Sequence, residues 1–326
     1  MTRKLIVHIG ANKTGSSAIQ RFLALNCGLL RASGIVVPDN EFSLSDRPQG
    51  FHVFGFEKLL RQADGRVQLE QAIDRVADAA ADASTIILSA ENLAANGNAP
   101  ALFKGLAERF DLQVILYVRR QDEYLLSTWQ QWYSKIGTDF WAWAISAIGG
   151  LGNWQRYLEN WESVVPPDRI CVRVFERQKL DGADVIRDFC NRCGISRPFE
   201  EFAYPDGTIN PSFSEAVMDL VKGNKLIFKD VHDNDFYNLV LEATGHRYVK
   251  NGRQSAITFA QRQAILGKYA SSNRWVREKY LPGLEGELFS APEESDYDYL
   301  APDALQAQKL EFLTTLLYRL HKKGNT

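Results

Sequence analysis

Five short apolar runs, at 5–9, 35–37, 85–89, 112–118 and 170–175, punctuate the first half of this 326-residue chain. Continuous runs of this length, bounded by glycine or polar residues, read as strands buried on both faces, the kind found in parallel sheets. Between them lie stretches with helical spacing. Residues 16–30 carry apolar side chains at 18, 19, 22, 23, 25, 29 and 30, a helical stripe. Further helices are read at 67–83, at 100–110 with a proline in its first turn, and at 123–134. Strand alternating with helix predicts an α/β fold with a central parallel sheet. From about residue 211 the pattern is mostly helical, near 212–224, 233–243, 257–280 and 302–322. No Pro/Ser-rich linker or repeat intervenes. A single domain over 1–326 is therefore expected, with an α/β core at 1–195 and a mainly helical elaboration at 196–326.

Composition narrows the function classes. Lys plus Arg number 38 and Asp plus Glu 40, a net charge of −2. That balance gives no support for a duplex nucleic-acid binder, which carries a basic face. The residues after Met1-Thr2-Arg3-Lys4 are too few before Gly10 for a signal sequence, and the apolar stretch 141–151 is too short for a bilayer span. A cytoplasmic protein is expected. Of four cysteines (Cys27, Cys171, Cys190, Cys193), the last two form a lone C-x-x-C with no second ligand pair. Two helix cysteines are expected there rather than a zinc or redox site. No metal ligand cluster is read anywhere.

The segment that carries chemistry follows the first strand: His8-Ile9-Gly10-Ala11-Asn12-Lys13-Thr14-Gly15-Ser16-Ser17. Strand, glycine-bounded loop and helix start together aim backbone N–H groups and the positive helix end at a phosphate. Gly10 and Gly15 have the glycine spacing of a nucleotide triphosphatase loop. The Lys-Ser/Thr that should follow the second glycine is replaced by Ser16-Ser17, and the lysine sits inside the loop at position 13.

This arrangement, H-x-G-x-x-K-T-G-S-S opening a helix, resembles the phosphosulfate-binding loop of the sulfotransferases, which use 3′-phosphoadenosine-5′-phosphosulfate (PAPS) and release PAP. The resemblance implies a P-loop-like three-layer α/β sandwich with extra C-terminal helices. It implies that Gly10, Ala11, Asn12, Lys13, Thr14, Gly15, Ser16 and Ser17 bind the donor, with Lys13 at the leaving oxygen. In the family a second anion site, for the 3′-phosphate, is an arginine at a strand end followed eight positions on by a serine. Arg119 and Ser127 match it. The alternative for Arg119 and Arg120 is a surface charge cluster with Asp122 and Glu123. Two looser segments agree with the bacterial branch of the family, Asn210-Pro211-Ser212-Phe213-Ser214 and Ser272-Asn273-Arg274 through Tyr280-Leu281. The R-K-G segment of the animal cytosolic enzymes is absent, and Lys250-Asn251-Gly252-Arg253 is the nearest basic stretch.

Transfer to a hydroxyl also calls for a base. Glu91, just beyond the 85–89 run, stands where ligands gather in such sheets and resembles the base of heparan-type enzymes. His52 is the alternative, as histidine serves in the cytosolic enzymes. The acceptor implied is a hydroxyl of a carbohydrate, glycolipid or small molecule. An aromatic-dense stretch, Trp129, Trp132, Tyr133, Phe140, Trp141 and Trp143, reads as core or as acceptor contact, with Lys135 and Asp139 beside it. Two rival readings stand: a kinase or nucleoside triphosphatase on the same fold, and a non-catalytic binding protein that keeps the fold.

Overall fold

The computed structural model describes residues 2–137, 139–205, 212–250 and 253–324. Its centre is a five-stranded sheet of β1 (Lys4–His8), β2 (Ile35–Val36), β3 (Thr85–Ser89), β4 (Asp111–Val118) and β5 (Ile170–Val174). The strand order is β2-β3-β1-β4-β5 and every pairing is parallel. Ile6 sits opposite Ile87 on one side and Gln113 on the other. Leu5, Ile6 and Val7, like Ile86, Ile87 and Leu88, are fully buried, so both faces of the central strands are covered. The α/β architecture expected from the alternation is present, and each run becomes a strand within a residue or two of its expected ends.

The order matters for function. With β3 and β4 as its two neighbours, β1 delivers its C-terminal end between theirs. The loops that leave β1, β3 and β4 are thereby gathered at one edge of the sheet, where ligands bind in open α/β folds.

The helix expected at 16–30 is divided into Ser16–Leu25 and Cys27–Ala32. Asn26 is the cause. Its side chain donates to the carbonyls of Phe22 and Ala203 and accepts from the Ala203 N–H, all near 2.9 Å. Such side-chain bonds offer the backbone an alternative to the helix ladder. Ile19, Phe22 and Leu23 pack against Phe189, Cys190 and Cys193 of the helix Val185–Cys193 and against Phe202. Both cysteines are therefore core side chains. Burial pushes the Cys190 thiol up to about 12 and raises Cys193 as well, which leaves them inert.

The chain divides into two compact units, and not at residue 195. The first holds 1–120, 153–209 and 271–289; the second holds 121–152, 210–270 and 290–326. The second has its own core, in which Phe213, Val217, Met218, Tyr237 and Val240 pack with Phe312 and Leu316 of the helix Pro302–Gly324. Also within it, the buried Arg262 guanidinium pairs at 2.6 Å with both Asp122 and Glu123 and lies 3.6 Å from the Tyr297 ring centre.

Candidate functional site

The loop after β1 is built from three residues in the left-handed region: Gly10 (φ 55°), Lys13 (φ 65°) and Gly15 (φ 85°). The two glycines are required by contact as well as by backbone angle. A β-carbon at position 10 would stand 2.8 Å from the Glu91 Cα, and one at position 15 would stand 2.8 Å from the Phe175 ring. Lys13 has no such freedom, and a left-handed lysine costs about 1–2 kcal/mol. Strain of this kind persists where the surroundings enforce it and concentrates at functional sites. Two bonds enforce it here. Arg119 Nη1 donates to the Lys13 carbonyl at 2.9 Å, and Thr14 Oγ1 donates to the Ala11 carbonyl at 2.7 Å.

The electrostatics favour an anion. Burial, with the Arg119 guanidinium beside it, pushes the Lys13 ammonium down to about 8; among the described residues no carboxylate offsets this. The helix Ser16–Leu25 begins at Gly15 without a side-chain cap; the Ala18 N–H of its first turn is taken by the Gly15 carbonyl at 3.0 Å, and the positive end of the helix faces the loop. Two converging cations and an uncapped helix start make a cradle that a phosphate or sulfate would neutralise.

Glu91 lies against this loop, its backbone packed on Gly10. Gln20, from the helix that the loop opens, donates its side-chain N–H to Glu91 Oε2. Gln20 was not singled out in the sequence. It lies one turn beyond Ser16 and so shares a helix face with it, which was the available signal.

His52 is placed differently. It is fully buried. Its Nδ1 accepts from the Ser89 N–H at 3.1 Å and its Nε2 lies 3.0 Å from the Pro38 carbonyl, so a neutral ring with the proton on Nε2 satisfies both contacts. Burial pushes it down to about 4. Ser89 also reaches His8, whose Nδ1 lies 2.8 Å from its hydroxyl; burial pushes His8 down to about 3. Both histidines are bound into the framework under the site.

The other expected residues distribute as follows. Gly10 to Ser17, Glu91 and Arg119 belong to the first unit and are linked by the contacts above. Ala11, Thr14 and Ser16 are buried, Asn12 and Ser17 half-buried. The Thr14 hydroxyl is spent inside the loop. Ser127, on the helix Gln121–Gln131, belongs to the second unit. Of the aromatic stretch, Trp129, Phe140 and Trp143 are buried, with Trp129 edge-on to Phe140 at 5.7 Å. Lys135 Nζ is buried against the Val231 carbonyl and Asn234 Oδ1, and Asp139 caps the helix Phe140–Ala147. Lys135 is thus enclosed, while Asp139 stays exposed at its helix start. Ser272 Oγ accepts from the Gln155 N–H at 3.3 Å. Asn210, Pro211, Asn251 and Gly252 lie outside the described residues.

No family model and no curated protein matches the chain. Among solved structures it is similar to a sulfotransferase from Alicyclobacillus acidocaldarius, at 16% identity and a TM-score of 0.40, over 65% of this chain and 88% of that one. It is also similar to the sulfotransferase domain from the curacin biosynthetic pathway, at 14% identity and a TM-score of 0.34, over 61% and 76%. Likenesses at these values stand as observations and assign no activity.

Proposed function

We propose that the protein is a sulfotransferase that takes a sulfuryl group from PAPS and delivers it to a hydroxyl. The observation that carries this reading is Lys13: a strained, half-buried lysine between two obligatory glycines, held beside Arg119 at an uncapped helix start. A triphosphatase loop places its lysine after the second glycine, so this loop favours the sulfuryl reading over the kinase one.

The residues present fit such a donor. The backbone of 12–17 and the Lys13 ammonium would hold its 5′ end, and Arg119 is proposed for the 3′-phosphate. The part of Ser127 rests on the sequence spacing alone. When bound, PAPS supplies the activated sulfuryl group. By analogy with phosphoryl transfer, the protein's contribution is positioning and charge neutralisation. Lys13 neutralises charge on the leaving oxygen. Glu91 is the proposed base, fixed by Gln20 and by its packing on Gly10, and it accepts the proton of the acceptor hydroxyl. His52 is set aside as base because both ring nitrogens are engaged by the backbone. A carbohydrate or glycolipid acceptor and a cytoplasmic setting go with the proposal, supported by the sequence reading alone. The described residues contain no group of His, Cys, Asp and Glu that could hold a metal, and no helix long and apolar enough to cross a membrane.

The test is thermal unfolding with PAP, AMP and Mg-ATP. Ligand at one hundred times its dissociation constant adds about 2.7 kcal/mol, a rise of several degrees for a chain this size. A rise with PAP and little with AMP is expected. A rise with Mg-ATP alone would transfer the reading to a kinase, and no rise with any of the three would leave a binding fold without this donor.

A further inference from the structure

Resting on the reading of Glu91 as base, we propose that Phe51 and Phe54 form the platform on which the acceptor lies, and that the acceptor hydroxyl is carried by a ring with a flat apolar face. Phe54 is 63% exposed, although it belongs to a helix, Val53–Leu60, whose Phe56 and Leu59 are buried. Phe51 is half-buried, and the two rings meet edge to face at 5.8 Å. Exposed single apolar side chains are common, so exposure alone would mean little. What distinguishes this pair is how its segment is held and where.

The segment 50–54 is tied at both ends to residues that hold or adjoin Glu91. At Gly50 (φ 74°) the chain passes so close to the helix Ser16–Leu25 that a β-carbon would come 2.0 Å from the Gln20 carbonyl. Gln20 is the residue whose side chain holds Glu91. At the other end, Asn92, which directly follows Glu91, donates its Nδ2 to the Val53 carbonyl at 3.1 Å. Between these ties, the His52 N–H donates to the Ser89 carbonyl at 2.8 Å, and its ring takes the Ser89 N–H and reaches Pro38. His52 is thus a positioning residue. It clamps Phe51 and the start of the next helix against the end of β3, where Glu91 emerges. Two aromatic rings on a segment tied to the residues that flank and hold Glu91 suit a ring whose apolar face stacks while its hydroxyl reaches the base. The C–H face of a sugar and an aryl ring share that chemistry.

The experiment uses the full-length protein saturated with PAP, so that donor-site failure is seen separately, as loss of PAP binding. Saturation-transfer NMR and calorimetric titration are run with methyl β-D-glucopyranoside, 4-methylphenol and glycerol. At least one of the two ring probes should bind, and glycerol should not. Phe54→Ala should weaken that probe about three- to tenfold, the scale of one aromatic contact. It should leave PAP affinity and the unfolding midpoint unchanged, because Phe54 is exposed. Phe54→Trp, which enlarges the platform, should keep or tighten it. Preference for the glucoside identifies a sugar face, preference for the phenol an aryl face. Equal binding of glycerol, no binding of either ring probe to PAP-loaded protein, or an unchanged affinity in Phe54→Ala would overturn the platform while leaving the donor reading intact. Failure to bind PAP would sink the donor reading itself.

Discussion

Two segments hold the densest chemistry in this sequence, the loop at 10–17 and the aromatic stretch at 129–143, and the fold uses them in opposite ways. In the loop the Thr14 hydroxyl is spent locally, but the Lys13 charge has no carboxylate to answer it among the described residues. Lys13 is held in a conformation that costs free energy, its charge faces Arg119, and the helix start is left without a cap. In the aromatic stretch half of the rings and both of the charged groups beside them are engaged by the protein itself. Trp129, Phe140 and Trp143 are buried, Lys135 is bonded to a carbonyl and an amide oxygen, and Asp139 caps a helix. A site is marked by local choices that stability alone would not make, whereas a core satisfies each of its members.

The largest test of that contrast is on the core side. Trp143→Ala should destabilise the chain by about 3–5 kcal/mol, the usual cost of emptying a buried aromatic position. Urea unfolding would show it as a lower midpoint, while PAP affinity at a temperature where the variant is folded stays within about twofold. A stable Trp143→Ala with altered ligand binding would instead make the aromatic stretch a ligand surface.

The loop predicts the reverse pattern. Lys13→Ala should leave stability near the wild-type value, or raise it, because a half-buried like-charge contact and its desolvation are relieved. Turnover should fall about 100- to 1,000-fold, the loss seen when one preorganised charge-stabilising donor is removed. Both quantities can be read from one preparation, by unfolding and by transfer of radiolabelled sulfate from PAPS. Wild-type turnover in Lys13→Ala would dissolve the loop assignment.

How much of this was legible beforehand depends on the range of the interaction concerned. The strands were readable because continuous apolar runs are a local property, and β3 occupies the residues expected for it. The helix starts at Asn153 and Asp184 carry side-chain caps that could have announced the helices Trp154–Glu162 and Val185–Cys193, yet the first was not read and the second only at its two cysteines. The break at Asn26 was not readable, since it depends on Ala203, 177 positions away. The same holds for the units. Contacts assign 121–152 with 210–270, a long-range grouping that no composition shift announces. At the site, the loop residues were singled out by their spacing and by the resemblance it carries, whereas Gln20 acquires meaning only once Glu91 is beside it. The partners of His52 were hidden for a related reason: a histidine's two nitrogens look available until the backbone groups beside them, here of Ser89 and Pro38, are known.

The smallest expected effect sharpens the comparison further, because it concerns one proton. Burial and Arg119 lower the Lys13 ammonium from its ordinary value to about 8. The native chain therefore binds fewer protons here than the unfolded chain between pH 8 and the ordinary lysine value near 10.5, and this group adds stability as pH rises through that window. A bound anion reverses the sign locally, since it favours the ammonium. PAP affinity should accordingly be greatest below pH 8 and fall above it, by up to about tenfold per pH unit while one proton is coupled. The phosphates of PAP are already ionised there, and Arg119 does not titrate in this range. Titration calorimetry at pH 8 to 9, in buffers of different ionisation enthalpy, should register proton uptake on binding. Lys13→Arg keeps the charge without the titration, so its PAP affinity should be flat across the same interval. A slope that survives in Lys13→Arg would mean that another group carries the proton, and the loop lysine would lose the electrostatic character that sets it apart from the satisfied Lys135.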